Sequence, residues 1–194
     1  GRQSDAEAGY QDSIDKLLSA AEMQPTGSEA WVYYRKRAAA IADGTGRLDA
    51  AIDLFRSTLA DASGSPALIA EMRNDLAYAL SRRAGPGDLE NAANQIALAL
   101  KKLQHPALHH TRGKVLEAQG QTKDAAGSYR AALALDPGHP ASLASLALLL
   151  ARGDTLDRAE ARQYIERSDE LDLSDVDEGV RGEFATAASL LEDG

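Results

Sequence analysis

The chain has 194 residues, of which 44% are hydrophobic, 26% charged and only 5% aromatic. This is an ordinary composition for a soluble protein, in which alanine and leucine must fill most of the core. Its formal charge of −9 argues against a nucleic-acid surface, which needs a basic patch to displace counterions, and the absence of cysteine excludes disulfides and thiolate-bound zinc.

Helical spacing runs through the whole chain and strand patterning is nearly absent. The first helix is expected over 5–23, opened by a capping box from Ser4 to Glu7 and stopped at Pro25. The second, 28–43, follows a Thr26 to Glu29 box, contains the one basic run at 35–37, and ends at Gly44 and Gly46. The third, 47–60, carries Leu54 and Thr58 one turn apart and stops before Gly64. Ser65-Pro66 gives the fourth, 66–83, an N-cap with proline at the first helical position. Gly85-Pro86-Gly87 closes that helix, and the fifth, 88–102, carries Ala92, Ile96 and Ala99 on one face.

His105-Pro106 opens the sixth helix, 106–119, with a poorer cap, and Gly120 ends it. The seventh, 122–135, places Ala125, Tyr129 and Ala132 on one face before Pro137-Gly138. His139-Pro140 opens the eighth, 140–152, up to Gly153; the ninth covers 157–171. The tenth, 175–191, has Val176, Val180, Phe184, Ala187 and Leu191 on one stripe, with Ser174 and Asp177 placed to cap it. The most apolar run, 141–151, falls short of the roughly 20 residues that cross a membrane. All connections are short, so one domain over 1–194 is expected. The start at Gly1 suggests a fragment of a longer protein, with room for a targeting or anchor segment upstream; the compartment is left open.

A pattern of small, bulky and small residues recurs as Ala51/Phe55/Thr58, Ala92/Ile96/Ala99, Ala125/Tyr129/Ala132 and Ala161/Ile165/Ser168, at steps of 41, 33 and 36 residues. A glycine precedes each instance: Gly46, Gly87, Gly120 and Gly153. Two helices per unit with a period in the mid-thirties mark a helical repeat. Residues 106–139 resemble a tetratricopeptide repeat, of bacterial type: Gly113 matches the glycine where the paired helices touch, Gly120 the turn, Ala125, Tyr129 and Ala132 the second-helix face, and Pro137 the closing proline. His109 stands where the family often has tryptophan, and Leu173 replaces the proline of the fourth unit.

The resemblance implies an all-α, right-handed α-solenoid of about ten helices. It would comprise a half repeat at 5–25, repeats at 28–65, 66–105, 106–139 and 140–173, and a capping helix at 175–191. One hairpin cannot bury its apolar face alone, but stacked hairpins share a continuous core. The resemblance also implies a concave groove lined by first helices. Its positions would be Asn74, Asp75 and Tyr78 in the second unit, His110, Thr111, Lys114 and Glu117 in the third, and Ala144, Ser145 and Leu148 in the fourth. The first unit has two registers, offering Tyr33 with Lys36 or Arg35. The Lys, Asn and Arg set with which one subclass grips a C-terminal carboxylate is not reproduced at Asn74, Thr111 and Ser145.

No phosphate loop, nucleophile elbow, zinc-protease or dinucleotide motif occurs. His105, His109 and His110 lack a completing carboxylate for zinc, and the acidic run 166–179 does not follow the calcium-loop pattern. No cofactor, metal site or catalytic residue is expected. The expected function is a non-catalytic scaffold binding a protein or peptide, basic or neutral rather than nucleic acid, in the groove. The alternative is a regulatory or substrate-recruiting segment of a larger enzyme or membrane-associated assembly. The partner's identity and the oligomeric state are left open.

Overall fold

The alanine-rich spacing does form helices in the computed structural model, which describes residues 2–192, with the side chains of 2–5 and 155–156 outside that description. Ten α-helices and no strand lie among the described residues: α1 Arg2–Glu22, α2 Glu29–Gly44, α3 Leu48–Asp61, α4 Pro66–Arg83, α5 Asp88–Leu100, α6 Pro106–Ala118, α7 Thr122–Leu135, α8 Pro140–Ala151, α9 Thr155–Ser168 and α10 Glu178–Glu192. None is long and apolar enough to cross a membrane. The side chain of the expected cap, Ser4, lies outside that description, and its backbone is already inside α1.

Capping chemistry explains most boundaries. Ser65 Oγ accepts from the Leu68 N–H ahead of Pro66, as expected. Two histidines act as caps: His105 Nδ1 accepts from the Ala107 N–H, and His139 Nδ1 from the Ser142 N–H, both at 3.3 Å. Two caps differ from the sequence reading. Ser28, not Thr26, opens α2, because the turn that ends with Ser28 N–H bonded to Pro25 O puts Ser28 Oγ 3.3 Å from Trp31 N. Asp177, not Ser174, opens α10, its carboxylate accepting from Gly179 N–H at 2.8 Å. Ser174 N–H is instead drawn to Asp172 at 3.0 Å, and α9 ends earlier and α10 starts later than the sequence suggested.

Residue contacts divide the chain into two compact units, 1–104 and 105–194, split at the sequence junction between the second and third expected repeats. In the first, α1 packs on α2, α2 on α3, α3 on α4 and α4 on α5. Its core includes Val32, Ala51, Ile52, Phe55, Met72, Leu76, Leu80, Ala92 and Ile96, all almost fully buried. Burying a side chain such as Phe55 stabilises by about 1.5–3 kcal/mol, and the alanines beside it let helix axes approach closely.

In the second unit α6 pairs with α7, α7 packs on α8, α8 pairs with α9, and α10 lies on α8. Its core joins Ala125, Tyr129, Leu143, Leu146 and Ala161 to Phe184, Ala187 and Leu191 of α10. The repeat register holds in both units: Ala51/Phe55/Thr58, Ala92/Ile96/Ala99 and Ala125/Tyr129/Ala132 are all buried. The glycines of the first three interhelix turns, Gly46, Gly87 and Gly120, have φ of 78°, 76° and 76°, which a side chain resists. Gly153, in the irregular fourth unit, does not share that conformation.

Candidate functional site

In the first unit, the first helices of adjacent hairpins face each other across an open cleft of about 500 Å³. Helix α2 contributes Tyr33, Lys36, Arg37, Ala40 and Ile41, and α4 contributes Leu68, Glu71 and Asp75. These are helical spacings, i to i+3, i+4 and i+7, so each set occupies one face. Lys36 Nζ lies 2.7 Å from Glu71 Oε2 and 3.7 Å from Asp75 Oδ2. Burial raises the Asp75 pKa, and the Lys36 charge works against that rise. Tyr33 is 46% exposed, and its ring is held by Arg37, whose guanidinium carbon lies 5.8 Å from the ring centre and whose NH1 donates to the phenol oxygen at 3.2 Å.

This geometry separates the two registers left open for the first unit. Tyr33 and Lys36 line the cleft. Arg35 instead turns to α3, donating to Thr58 Oγ1 at 2.9 Å and Ser57 Oγ at 2.8 Å, with its guanidinium over Trp31. Asn74 Nδ2 donates to Asp75 Oδ1 at 3.4 Å, while its own Oδ1 is buried without a hydrogen-bond partner. A buried orphan acceptor costs about 1–3 kcal/mol. Tyr78 is half-buried and packs under Arg82 rather than lining the cleft. Arg37, Leu68 and Glu71 were not singled out in the sequence; the Leu68, Glu71, Asp75 spacing on one helix face was the signal.

In the second unit the expected groove positions meet other parts of the chain. Thr111 and Leu148 are buried, as are Ala144 and Ser145. Lys114 Nζ donates to Glu183 Oε1 of α10 at 2.9 Å. His110 Nε2 lies 3.3 Å from Ser145 Oγ, and its ring sits near Tyr129 and His139. Burial, then Lys114 and His139, push the His110 pKa down to about 3. Glu117 accepts from the Tyr129 hydroxyl at 2.8 Å. Among the described residues, no three His, Asp or Glu side chains converge as a metal-binding set would.

Residues 106–139 match the model of the family described as Tetratricopeptide repeat. The chain is similar in structure to a thermophilic TPR protein of Thermus thermophilus, at 23% identity and a TM-score of 0.71, over 96% of this chain and 94% of that one. It is also similar to BtubC from P. vanneervenii, at 19% identity and a TM-score of 0.64, over 96% of this chain and 87% of the other. Among curated protein sequences none matches. Tetratricopeptide repeats commonly mediate protein–protein interaction, and proteins built from them are generally non-catalytic scaffolds. Residues 106–139 are a tetratricopeptide repeat, and the chain that contains them has the all-α helical-repeat fold of the tetratricopeptide-repeat proteins.

Proposed function

We propose that this chain is a non-catalytic interaction scaffold and that the α2–α4 cleft takes a segment of a protein partner. The observation that carries the reading is Tyr33, which lines the cleft, is 46% exposed and has its ring held in place by Arg37. An exposed tyrosine offers a flat apolar face with a polar tip, a residue type that often dominates binding energy.

The cleft carries Lys36 and Arg37 beside Glu71 and Asp75, so neither sign dominates. A neutral or basic segment suits it within a protein of net charge −9. The fold by itself implies no chemistry.

Selecting peptides from a random library on the full chain tests this reading. A selected peptide should bind the Tyr33→Ala variant at least tenfold more weakly, about 1.4 kcal/mol. Equal affinity for parent and variant would remove the α2–α4 cleft as the binding site.

A further inference from the structure

Helix α10 does not pack as the first helix of a following hairpin would. Inside the first unit, α4 packs chiefly on α3, the second helix of the preceding hairpin, and less on α2. Helix α10 reverses this order, lying mainly on α8 and only lightly on α9. From there it reaches α6. The two oxygens of Glu183 are held separately, Oε1 by Lys114 Nζ of α6 at 2.9 Å and Oε2 by Ser145 Oγ of α8 at 2.7 Å.

Because Ser145 donates its proton to Glu183, its oxygen is left to accept from His110 Nε2, 3.3 Å away. His110 is then the neutral Nε2–H tautomer. Two side chains from two neighbouring first helices thus hold one carboxylate, with His110 behind Ser145, and that carboxylate belongs to α10. Directly after it, Phe184 is buried, followed by Ala187 and Leu191. Such spacing is how an amphipathic helix anchors in a groove. Residues 169–177, which join α9 to α10, form the longest connection between described helices. The remaining ties of α10 include the carbonyls of Leu190 and Leu191, which accept from Arg158 and Arg162 of α9.

We propose that the face formed by α6 and α8 is a receptor for an acidic amphipathic helix, and that α10 is its resident occupant, displaced by a partner helix of the same chemistry. That chemistry is written in α10: a carboxylate for Lys114 and Ser145, an aromatic residue next to it, then a small and an aliphatic residue on the same face. The proposal rests on the reading of the fold as a binding scaffold, but on a different unit from the α2–α4 cleft. A ligand tied to the chain is present at high effective concentration, so a free helix competes only when its contacts are better or when α10 is loosened.

Hydrogen exchange on the full chain, followed at the amides of α6, α8 and α10, tests the proposal without any natural partner. Helix α10 should exchange through an opening that leaves α6 protected, and Glu183→Gln should speed α10 exchange at least tenfold. A synthetic peptide of residues 174–192, added in excess to the Glu183→Gln chain, should restore the protection of α8. The same peptide carrying Glu183→Gln should not, and Lys114→Ala in the chain should abolish the effect. Exchange of α10 in step with α6 and α8 in both chains would overturn the proposal, as would α8 protection indifferent to the peptide. Protection of α10 that falls on dilution would assign the occupant to a second copy and overturn the intramolecular arrangement. Each of these outcomes is independent of capture at the α2–α4 cleft.

Discussion

The Tyr129 ring of α7 fills the space that a side chain at Gly113 of α6 would need. A Cβ at position 113 would overlap Cε1, Cδ1 and Cζ of that ring. The ring has no exposed surface, and its hydroxyl is fixed by the 2.8 Å bond to Glu117 on the same helix as Gly113. It therefore has nowhere to retreat. Gly113→Ala should destabilise despite alanine's better helix propensity, and Gly113→Leu should cost about 1–3 kcal/mol by overpacking. Gly127, in α7, is the internal control, since its Cβ would meet nothing within 4 Å. Gly127→Ala should stabilise by about 0.5–1 kcal/mol. Urea midpoints moving in opposite directions for the two alanine variants are the expected result; equal shifts would mean the α6–α7 contact is misplaced.

That contact was legible in the sequence because it is local: residues of paired helices close in register carry the small and bulky positions that meet. The expected helices match the observed ones for the same reason, since proline, glycine and capping side chains act within a turn or two. The competing cap at α2 was harder, because Thr26 and Ser28 both offer an oxygen and only the turn through Gly27, with φ of 79°, selects Ser28. The groove was legible only in part. Tyr33, Lys36 and Asp75 share the α2–α4 cleft, but nothing in the pattern shows that Lys114 finds Glu183, which lies 69 residues away. An amphipathic stripe on α10 announces burial without saying which helix it faces, and its preference for α8 over α9 is a tertiary choice.

Arg83 and Asp88 fix the wide turn between α4 and α5. Asp88 is 3% exposed, and Arg83 grips it with two bonds of 2.7 Å while the Gly85 N–H donates a third at 2.9 Å. The Arg83 hydrogen bonds, first among the causes, hold the Asp88 pKa below its ordinary value. Removing the arginine leaves a buried carboxylate without its cation. Arg83→Ala should cost about 1–3 kcal/mol. Arg83→Lys should recover little of it, because an ammonium cannot form the paired fork. A depressed acid stabilises the fold above its unfolded pKa, near 3.8, and that contribution is lost as pH falls through the folded value. Denaturation midpoints should show the Arg83→Ala deficit in full at pH 7 and shrinking below about pH 4. A deficit that stays constant through this range would show that the arginine acts by packing alone.

Ala84 ends α4 in the left-handed region, with φ of 49° and its N–H bonded to Leu80 O at 2.9 Å. It is the one non-glycine residue with positive φ among the described residues. A Cβ in that conformation costs about 1–2 kcal/mol, part of which glycine returns as extra freedom in the unfolded chain. Ala84→Gly should therefore raise stability by about 0.5–1 kcal/mol. The unit that contains it also holds the chain's single tryptophan, Trp31, so its fluorescence reports the change. A midpoint that falls instead would place Ala84 outside the left-handed region.

His110 makes the second unit sensitive to mild acid. Its folded pKa is pushed down to about 3 from an ordinary 6.5, first by burial and then by the charges of Lys114 and His139. Below pH 6.5 the unfolded chain takes up a proton there that the folded chain refuses. Protons thus favour unfolding, and stability is full above about pH 6.5 and lost progressively down to about pH 3. Burial lowers the pKa of His109 and His139 as well, so all three act in the same direction. Linkage for His110 alone gives a loss of about 2 kcal/mol between pH 7 and pH 5. His110→Gln keeps a side-chain N–H for Ser145 but cannot take up that proton. The parent should lose about 2 kcal/mol more than this variant over the same interval, measured by urea denaturation followed by circular dichroism. Carboxylates contribute little to the difference, because most remain ionised at pH 5 in both proteins. Equal losses in parent and variant would mean that His110 is open to protonation in the folded state.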